Sequence, residues 1–409
     1  MKSENSSSDR ILPEGWRLLR LEDVCEKKIT LRNPNLNLDE SFYYVDISSI
    51  DNKLKRIITP KQIIGKDAPS RARQVIKTGD ILVSTTRPNL NAVALVPSNL
   101  NNQVCSTGFC ILRPRNNINS EYIFSFVQSI EFVQALSDIV KGALYPAVTD
   151  SQVLSQLIPI PNITEQERIS GILKSKMSSI NRAHAAAEAQ LLAAKALPAA
   201  YLREVFENPD ARKWPRKKLG EISDLVSGGT PPRGNHEFFA GNIPWVKTLD
   251  LNCDIVRQTE ECISDEAFKI IRGRVLPVHT VMVAMYGGSG TIGKSGILGI
   301  EAVTNQAICS ILPNPCIFSS EFIHCYLIFI RPEWMKHSSG NRRDPNINKN
   351  TVSQMECPVP SVLVQERIAN YLSEKIIQAK ILAKDIDMQL RLINKMNESL
   401  LRQAFNGEL

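Results

Sequence analysis

A chain of 409 residues exceeds the ~100–200 residues usual for one domain and predicts two or three. Hydrophobic residues at 43% and charged residues at 22% exclude wholesale disorder and a fibrous repeat. Against 49 Lys+Arg stand 42 Asp+Glu, a net +7 that permits a polyanionic partner but lacks the dense basicity of a protein bound by charge alone.

Residues 1–11 read as a flexible polar tail without the apolar stretch of a signal peptide, and no apolar run approaches the ~20 residues needed to cross a bilayer. A cytoplasmic chain with no membrane partner is expected. The nine cysteines are scattered, and with five histidines they show no metal-ligand spacing, so reduced thiols and no metal site are expected. Glu26-Lys27-Lys28 is an acidic-x-Lys triplet, but no aspartate in a strand context precedes it, and a helix over 22–28 accounts for its charges.

The chain repeats itself once. Pro159-Ile160-Pro161 followed by Gln166-Glu167-Arg168-Ile169 recurs 199 residues later as Pro358-Val359-Pro360 followed by Gln365-Glu366-Arg367-Ile368. The same offset runs without a gap to Phe206 and Phe405, and upstream Trp16 with Leu21-Glu22-Asp23-Val24 matches Trp214 with Leu219-Gly220-Glu221-Ile222. The organisation expected is a tail over 1–11, a globular domain over 12–160, a helical region over 161–206, a linker over 207–211, a second domain over 212–360 and a second helical region over 361–409.

The domains carry the Pro and Gly punctuation and short β-rich runs such as Ile81-Leu82-Val83 and Thr280–Met285, which predicts a mixed α/β (α+β) fold. In the helical regions apolar residues recur alternately four and three apart. The second seam is Leu372, Ile376, Ala379, Ala383, Ile386, Leu390, Ile393, Asn397, Leu400 and Ala404; carried back by 199 it becomes Leu173, Met177, Ile180, His184, Ala187, Leu191, Ala194, Pro198, Tyr201 and Val205. Two such helices are expected to pack as an antiparallel coiled coil with pseudo-two-fold symmetry, each ~65 Å long and carrying a domain to opposite ends. Thr164 and Glu167 read as a capping box at the first start, Ser361 as half of one at the second, Pro198 as a kink, and Gly407 as the stop of the second helix.

These residues resemble the specificity subunits of type I restriction-modification enzymes, and the resemblance covers nearly the whole chain. Its marks are the two Pro-x-Pro and Gln-Glu-Arg-Ile copies and the closing Leu400–Leu409. Within the domains they are Ser227-Gly228-Gly229-Thr230-Pro231 with Ile243-Pro244-Trp245-Val246-Lys247, and Thr86-Arg87-Pro88-Asn89 with Ser106-Thr107-Gly108-Phe109. The resemblance implies a chain without catalysis of its own. It implies two target-recognition domains that each read one half of a bipartite site on double-stranded DNA, with the helices setting the spacer. Two methyltransferase subunits and two restriction (motor) subunits would dock on it, and S-adenosylmethionine, ATP and magnesium would belong to those partners, with no cofactor on this chain.

Base readout needs bidentate donors, Arg for guanine and Asn or Gln for adenine, with Ser and Thr as adaptable partners. In the first domain these are Thr85, Thr86, Arg87, Asn89 and Lys141; in the second, Thr230, Arg233, Lys247, Thr248, Ser289, Thr291, Lys294, Arg342 and Arg343. Each domain holds 17 Lys+Arg and 14 Asp+Glu, only +3, so much of the phosphate grip falls to partners. Gln166, Glu167, Arg168, Gln365, Glu366 and Arg367 recur at the helix starts, where they serve as caps or as subunit-docking residues.

Residues 288–295, Gly-Ser-Gly-Thr-Ile-Gly-Lys-Ser, satisfy the phosphate-loop pattern and raise a competing reading, an NTP-dependent enzyme. The helix that pattern requires is not expected, because Gly296, Gly299 and Ala302-Val303-Thr304 read as turn and strand, making the segment a glycine hairpin facing DNA. A scaffold without sequence preference is the third reading.

Overall fold

The computed structural model describes residues 12–287, 290–337 and 346–409; the described residues form two compact units, 12–188 with 388–409, and those within 189–387. Each unit holds one mixed α/β domain and parts of two long helices that join the domains.

In the first unit, strand β1 (Arg17–Arg20) pairs antiparallel with the last strand of its domain, Leu157–Ile160, so the domain is tied start to end immediately before the long helix. Between them lie two larger sheets and a two-stranded ribbon of Ile50–Asp51 with Arg56–Ile57. One, of four strands, is ordered β3-β2-β7-β4, with β2 Ser41–Val45, β3 Lys61–Ile64, β4 Ala72–Val75 and β7 Val104–Ser106. The other is ordered β8-β5-β6, with β5 Ile81–Ser84, β6 Val93–Leu95 and β8 Phe109–Leu112. Helix α1 (Ser120–Phe126) covers the second sheet and precedes β9 (Leu157–Ile160). The short helix at the domain start ends at Val24, so Glu26-Lys27-Lys28 lies on irregular backbone and not on the expected helix over 22–28.

The second unit repeats this plan where sequence similarity has vanished. Strand β10 (Arg216–Lys218) pairs antiparallel with β19 (Glu356–Pro358), closing the domain as β1 and β9 do. The parallel pair Tyr44 with Val104 in the first unit has its counterpart in Trp245 with Val303, on β12 (Ile243–Val246) and β17 (Val303–Thr304), and β12 pairs on its other side with β14 (Glu261–Ile263). The main sheet joins β11 (Leu225–Ser227), β18 (Ile308–Ile311), β15 (Val281–Ala284), β16 (Ser295–Leu298) and β13 (Ile255–Val256) in that order, with helix α3 (Ser320–Phe329) against it.

The long helices are α2 (Ile163–Phe206) and α4 (Val362–Asn406), 44 and 45 residues, or roughly 66 Å each at ~1.5 Å per residue. Every seam position named above is buried or half-buried, including Leu173, Met177, Ile180 and Leu191 on α2 and Leu372, Ile376, Ile386, Leu390 and Ile393 on α4. Within the first unit the start of α2 packs beside the end of α4; within the second, the end of α2 packs beside the start of α4. The helices are therefore antiparallel. Helix α2 continues through Pro198.

The start of α2 corrects the expected cap. Asn162, not Thr164, takes the N-cap place, and its Oδ1 accepts a hydrogen bond from the Glu165 amide at 2.9 Å. The 199-residue offset places Asn162 opposite Ser361, the residue before α4. At the far end Gly407 has φ +76°, the Glu408 amide donates to the Gln403 carbonyl and the Gly407 amide to that of Ala404, a Schellman stop.

The helix ends are part of each domain's core. In the first unit Phe405 of α4 stands edge-on to Tyr122 and Phe126 of α1, at 5.2 and 5.3 Å between ring centres. In the second, Phe206 of α2 meets Phe322 and Tyr326 of α3 at 5.6 and 5.3 Å. Truncating such a buried ring removes its transfer free energy and leaves a cavity. Phe405→Ala is therefore predicted to lower the first unit's stability by about 3–5 kcal/mol, read as a shifted denaturant midpoint; an unchanged midpoint would mean the domain closes without the helix.

Candidate nucleic-acid interface

In the first domain the candidate residues sit where β5 ends. The Thr85 amide and hydroxyl both donate to the Gly108 carbonyl at 2.9 Å, the Val148 amide donates to the Thr85 carbonyl at 2.8 Å, and the Arg87 amide donates to that of Pro146 at 2.8 Å. Residues 85–87 and 146–148 thus form one strap that brings the loop of Lys141 against the loop of Arg87. Thr85 is buried and Thr86 half-buried, so neither offers a free hydroxyl surface. Arg87, in the left-handed region at φ 49°, Asn89 and Lys141 are exposed. Beside them stand Leu144 and Tyr145, 89% and 84% exposed, which are not polar and so lie outside the base-reader types sought above. Their signal was an apolar-aromatic pair in the punctuated stretch Gly142–Pro146.

The second domain builds the same strap from unrelated residues. The Met285 amide donates to the Ala307 carbonyl at 2.8 Å, and the Ile347 amide donates to the Met285 carbonyl at 2.9 Å. The glycine segment that follows is a hairpin. Val281 pairs with Ile297 and Val283 with Ser295 in antiparallel register, and the Gly293 amide donates to the Ala284 carbonyl at 2.9 Å. A phosphate loop needs a helix N-terminus after its lysine; here strand β16 follows, which removes the basis of the NTP-enzyme reading. The hairpin is fastened from behind by Arg331, whose guanidinium donates to the Gly290 carbonyl at 2.5 Å, and by Trp334 packed under Gly293. Thr291 is buried with its hydroxyl donating to the Gly287 carbonyl at 3.0 Å. Lys294 is half-buried and, among the described residues, in no ion pair. Ser289, Arg342 and Arg343 lie outside the described residues.

The Ser-Gly-Gly-Thr-Pro and Ile-Pro-Trp-Val-Lys motifs dock on each other. A side chain at Gly228 would strike the Thr304 carbonyl, and the Trp245 indole donates to the Gly229 carbonyl at 3.1 Å. Thr230 is hydrogen-bonded to Gln306. Arg233 lies over the rings of Phe239 and Trp245, at 4.5 and 5.1 Å, and donates to Glu261 at 2.8 Å. The Lys247 ammonium donates to Glu260 at 2.8 Å and Glu261 at 2.6 Å, its side chain only 12% exposed. Burial works against the Glu261 carboxylate, but its bonds to Lys247 and Arg233 prevail and hold its pKa low. Lys247 and Thr248, also buried, are therefore internal supports, and Arg233 is already matched in charge. Among the described residues, the candidates Arg87, Asn89 and Lys141 remain exposed and Lys294 half-buried without an ion pair.

At the helix starts, Gln166 and Gln365 are 1% and 0% exposed and hydrogen-bonded inside their units, so neither faces a partner. Arg168 is held by Glu165 at 2.7 Å and by the Leu409 carbonyl at 2.6 Å. Glu167, Glu366 and Arg367 stay exposed. The heptad reading overlooked apolar residues facing away from the seam of α4: Ile377 and Ile381 in the second unit, 52% and 54% exposed, and Met388, Leu392 and Met396 in the first, 54% to 56% exposed. Among the described residues no group of His, Cys, Asp and Glu could hold a metal ion, and no helix is long and apolar enough to cross a membrane.

His324 on α3 is buried against β16 with Nε2 unpartnered, and burial pushes its pKa down to about 4. The unfolded chain therefore binds this proton more readily. Its contribution is complete above the free value near 6.5 and is lost as pH falls toward 4. The second unit is predicted to lose stability over that window at up to about 1.4 kcal/mol per pH unit, and His324→Leu to flatten the slope; an equal slope in the variant would place the titration elsewhere.

Residues 13–191 and 211–390 each match the family described as the type I restriction modification DNA specificity domain. The chain belongs to that family and is a specificity subunit, which recognises DNA and carries no catalytic step of its own. It is similar to the type I restriction enzyme HindI specificity subunit of Haemophilus influenzae, 24% identical over 84% of this chain and 89% of that one. Among solved structures it resembles a chain described under complex assembly and conformational transition of the type I restriction-modification system, with TM-score 0.84 and 29% identity over 98% of this chain and 100% of that one. It also resembles the HsdS subunit from Thermoanaerobacter tengcongensis, with TM-score 0.68 and 29% identity over 98% and 99% of the two chains.

Proposed function

We propose that this subunit reads a bipartite DNA site, one half per domain, with α2 and α4 setting the nonspecific gap. The observation that carries the reading is the repeated strap: two domains of one plan present different side chains from equivalent loops, Arg87, Asn89 and Lys141 in one and Lys294 in the other. Equivalent frames with different readers suit two half-sites of different sequence. Two methyltransferase and two restriction subunits dock on the helices, in the cytoplasm. The exposed apolar residues of α4 and the exposed Glu167, Glu366 and Arg367 support that docking, since apolar surface left in water favours a covering partner.

Exchanging residues 212–360 for the corresponding domain of another subunit tests the reading: one half of the methylated site changes and the other persists. A change in both halves together contradicts it.

Two substitutions separate base from phosphate contacts. Arg87→Ala is predicted to relax specificity at one position of the first half-site and to cost about 1–3 kcal/mol of binding. Lys294→Ala weakens all sequences alike and lowers the salt slope of binding by about 1. Equilibrium binding across single-base variants and salt concentrations checks both.

A further inference from the structure

We infer that Gln166 and Gln365 are positioning residues for spacer length: each clamps a long helix to its domain at one angle. This inference rests on the bipartite reading above. In the first unit the Gln166 Oε1 accepts from the Asn119 amide at 2.9 Å, at the start of α1, while Nε2 donates to the Pro161 carbonyl at 2.9 Å. In the second unit the Gln365 Oε1 accepts from the Ser319 amide at 3.0 Å, at the start of α3, while Nε2 donates to the carbonyls of Pro360 at 2.7 Å and Ile317 at 3.1 Å. The same bridge therefore joins the first turn of a long helix to the cap of a domain helix, once in each unit, although Asn119 and Ser319 differ.

The close packing of Ile169, Leu173, Ala369 and Leu372 sets each helix's place against its domain, but apolar contact is non-directional and selects one angle less sharply than a hydrogen bond does. A buried amide is different. It tolerates only the geometry that satisfies its donor and acceptor together, because either group left unpaired away from water is costly. The lever is long: a tilt of about 3° at the clamp moves the far end of a ~66 Å helix by ~3.4 Å, one base-pair step. A subunit that must count base pairs needs such a fixed angle where helix meets domain, and these glutamines are the directional contact repeated there.

The test uses the full chain assembled with its methyltransferase partner and duplexes carrying both half-sites at a series of spacings. Gln166→Met and Gln365→Met remove the hydrogen bonds at nearly constant volume. In each, methylation at spacings one base pair longer or shorter, relative to the preferred one, is expected to rise by about tenfold, the scale of one lost buried hydrogen bond, with half-site sequences unchanged. An unchanged single spacing in both methionine variants overturns the inference while leaving the bipartite reading intact. Loss of binding to a duplex carrying one half-site also overturns it, since the glutamine would then hold the domain together and not its angle. Absence of any split site for the unaltered chain overturns both.

Discussion

Neither recognition domain completes its own core. Phe405, at the end of α4, fills the aromatic knot of the first domain with Tyr122 and Phe126, and Phe206, at the end of α2, does the same in the second with Phe322 and Tyr326. Each domain is thereby held by the end of one long helix and, through Gln166 or Gln365, by the start of the other. Helix and domain are one cooperative body in each unit, so the orientation of the reading loops is a property of the packed core and not of a hinge.

That coupling explains how modest charge serves recognition. With 17 Lys+Arg against 14 Asp+Glu per domain, and with Lys247 and Arg233 already matched by Glu260 and Glu261, long-range attraction to phosphate is weak. On the proposed reading, specificity depends on loops held still: the strap of residues 85–87 on 146–148, its counterpart from Met285 to Ile347, and the hairpin backed by Arg331 and Trp334. Rigid frames lower the ordering cost of binding and let a few exposed donors discriminate between bases.

Much of this was legible in the sequence, for identifiable reasons. The internal repeat and the four-three spacing of the seam are linear signals, and they located both helices and Gly407 at the second stop. The cap was misplaced at Thr164 because a capping-box pattern outweighed the offset, which pointed to Asn162. Residue types suited to base contacts can be picked out in sequence, as at Arg87 and Asn89, but exposure is not a local property of sequence: those two are exposed, whereas Thr85, Thr248, Thr291 and Lys247 are consumed inside the fold. Gln166 and Gln365 recurred as docking residues would, yet what recurs is an internal bond. Leu144 and Tyr145 escaped notice because apolar residues default to the core unless the fold turns them outward.

The most direct measurement is a map of methylated bases in DNA from cells carrying this chain with its methyltransferase partner. Two short, different sequences separated by one fixed nonspecific gap are the predicted result. Methylation at a single continuous sequence, or at two sequences with a variable gap, would contradict the account.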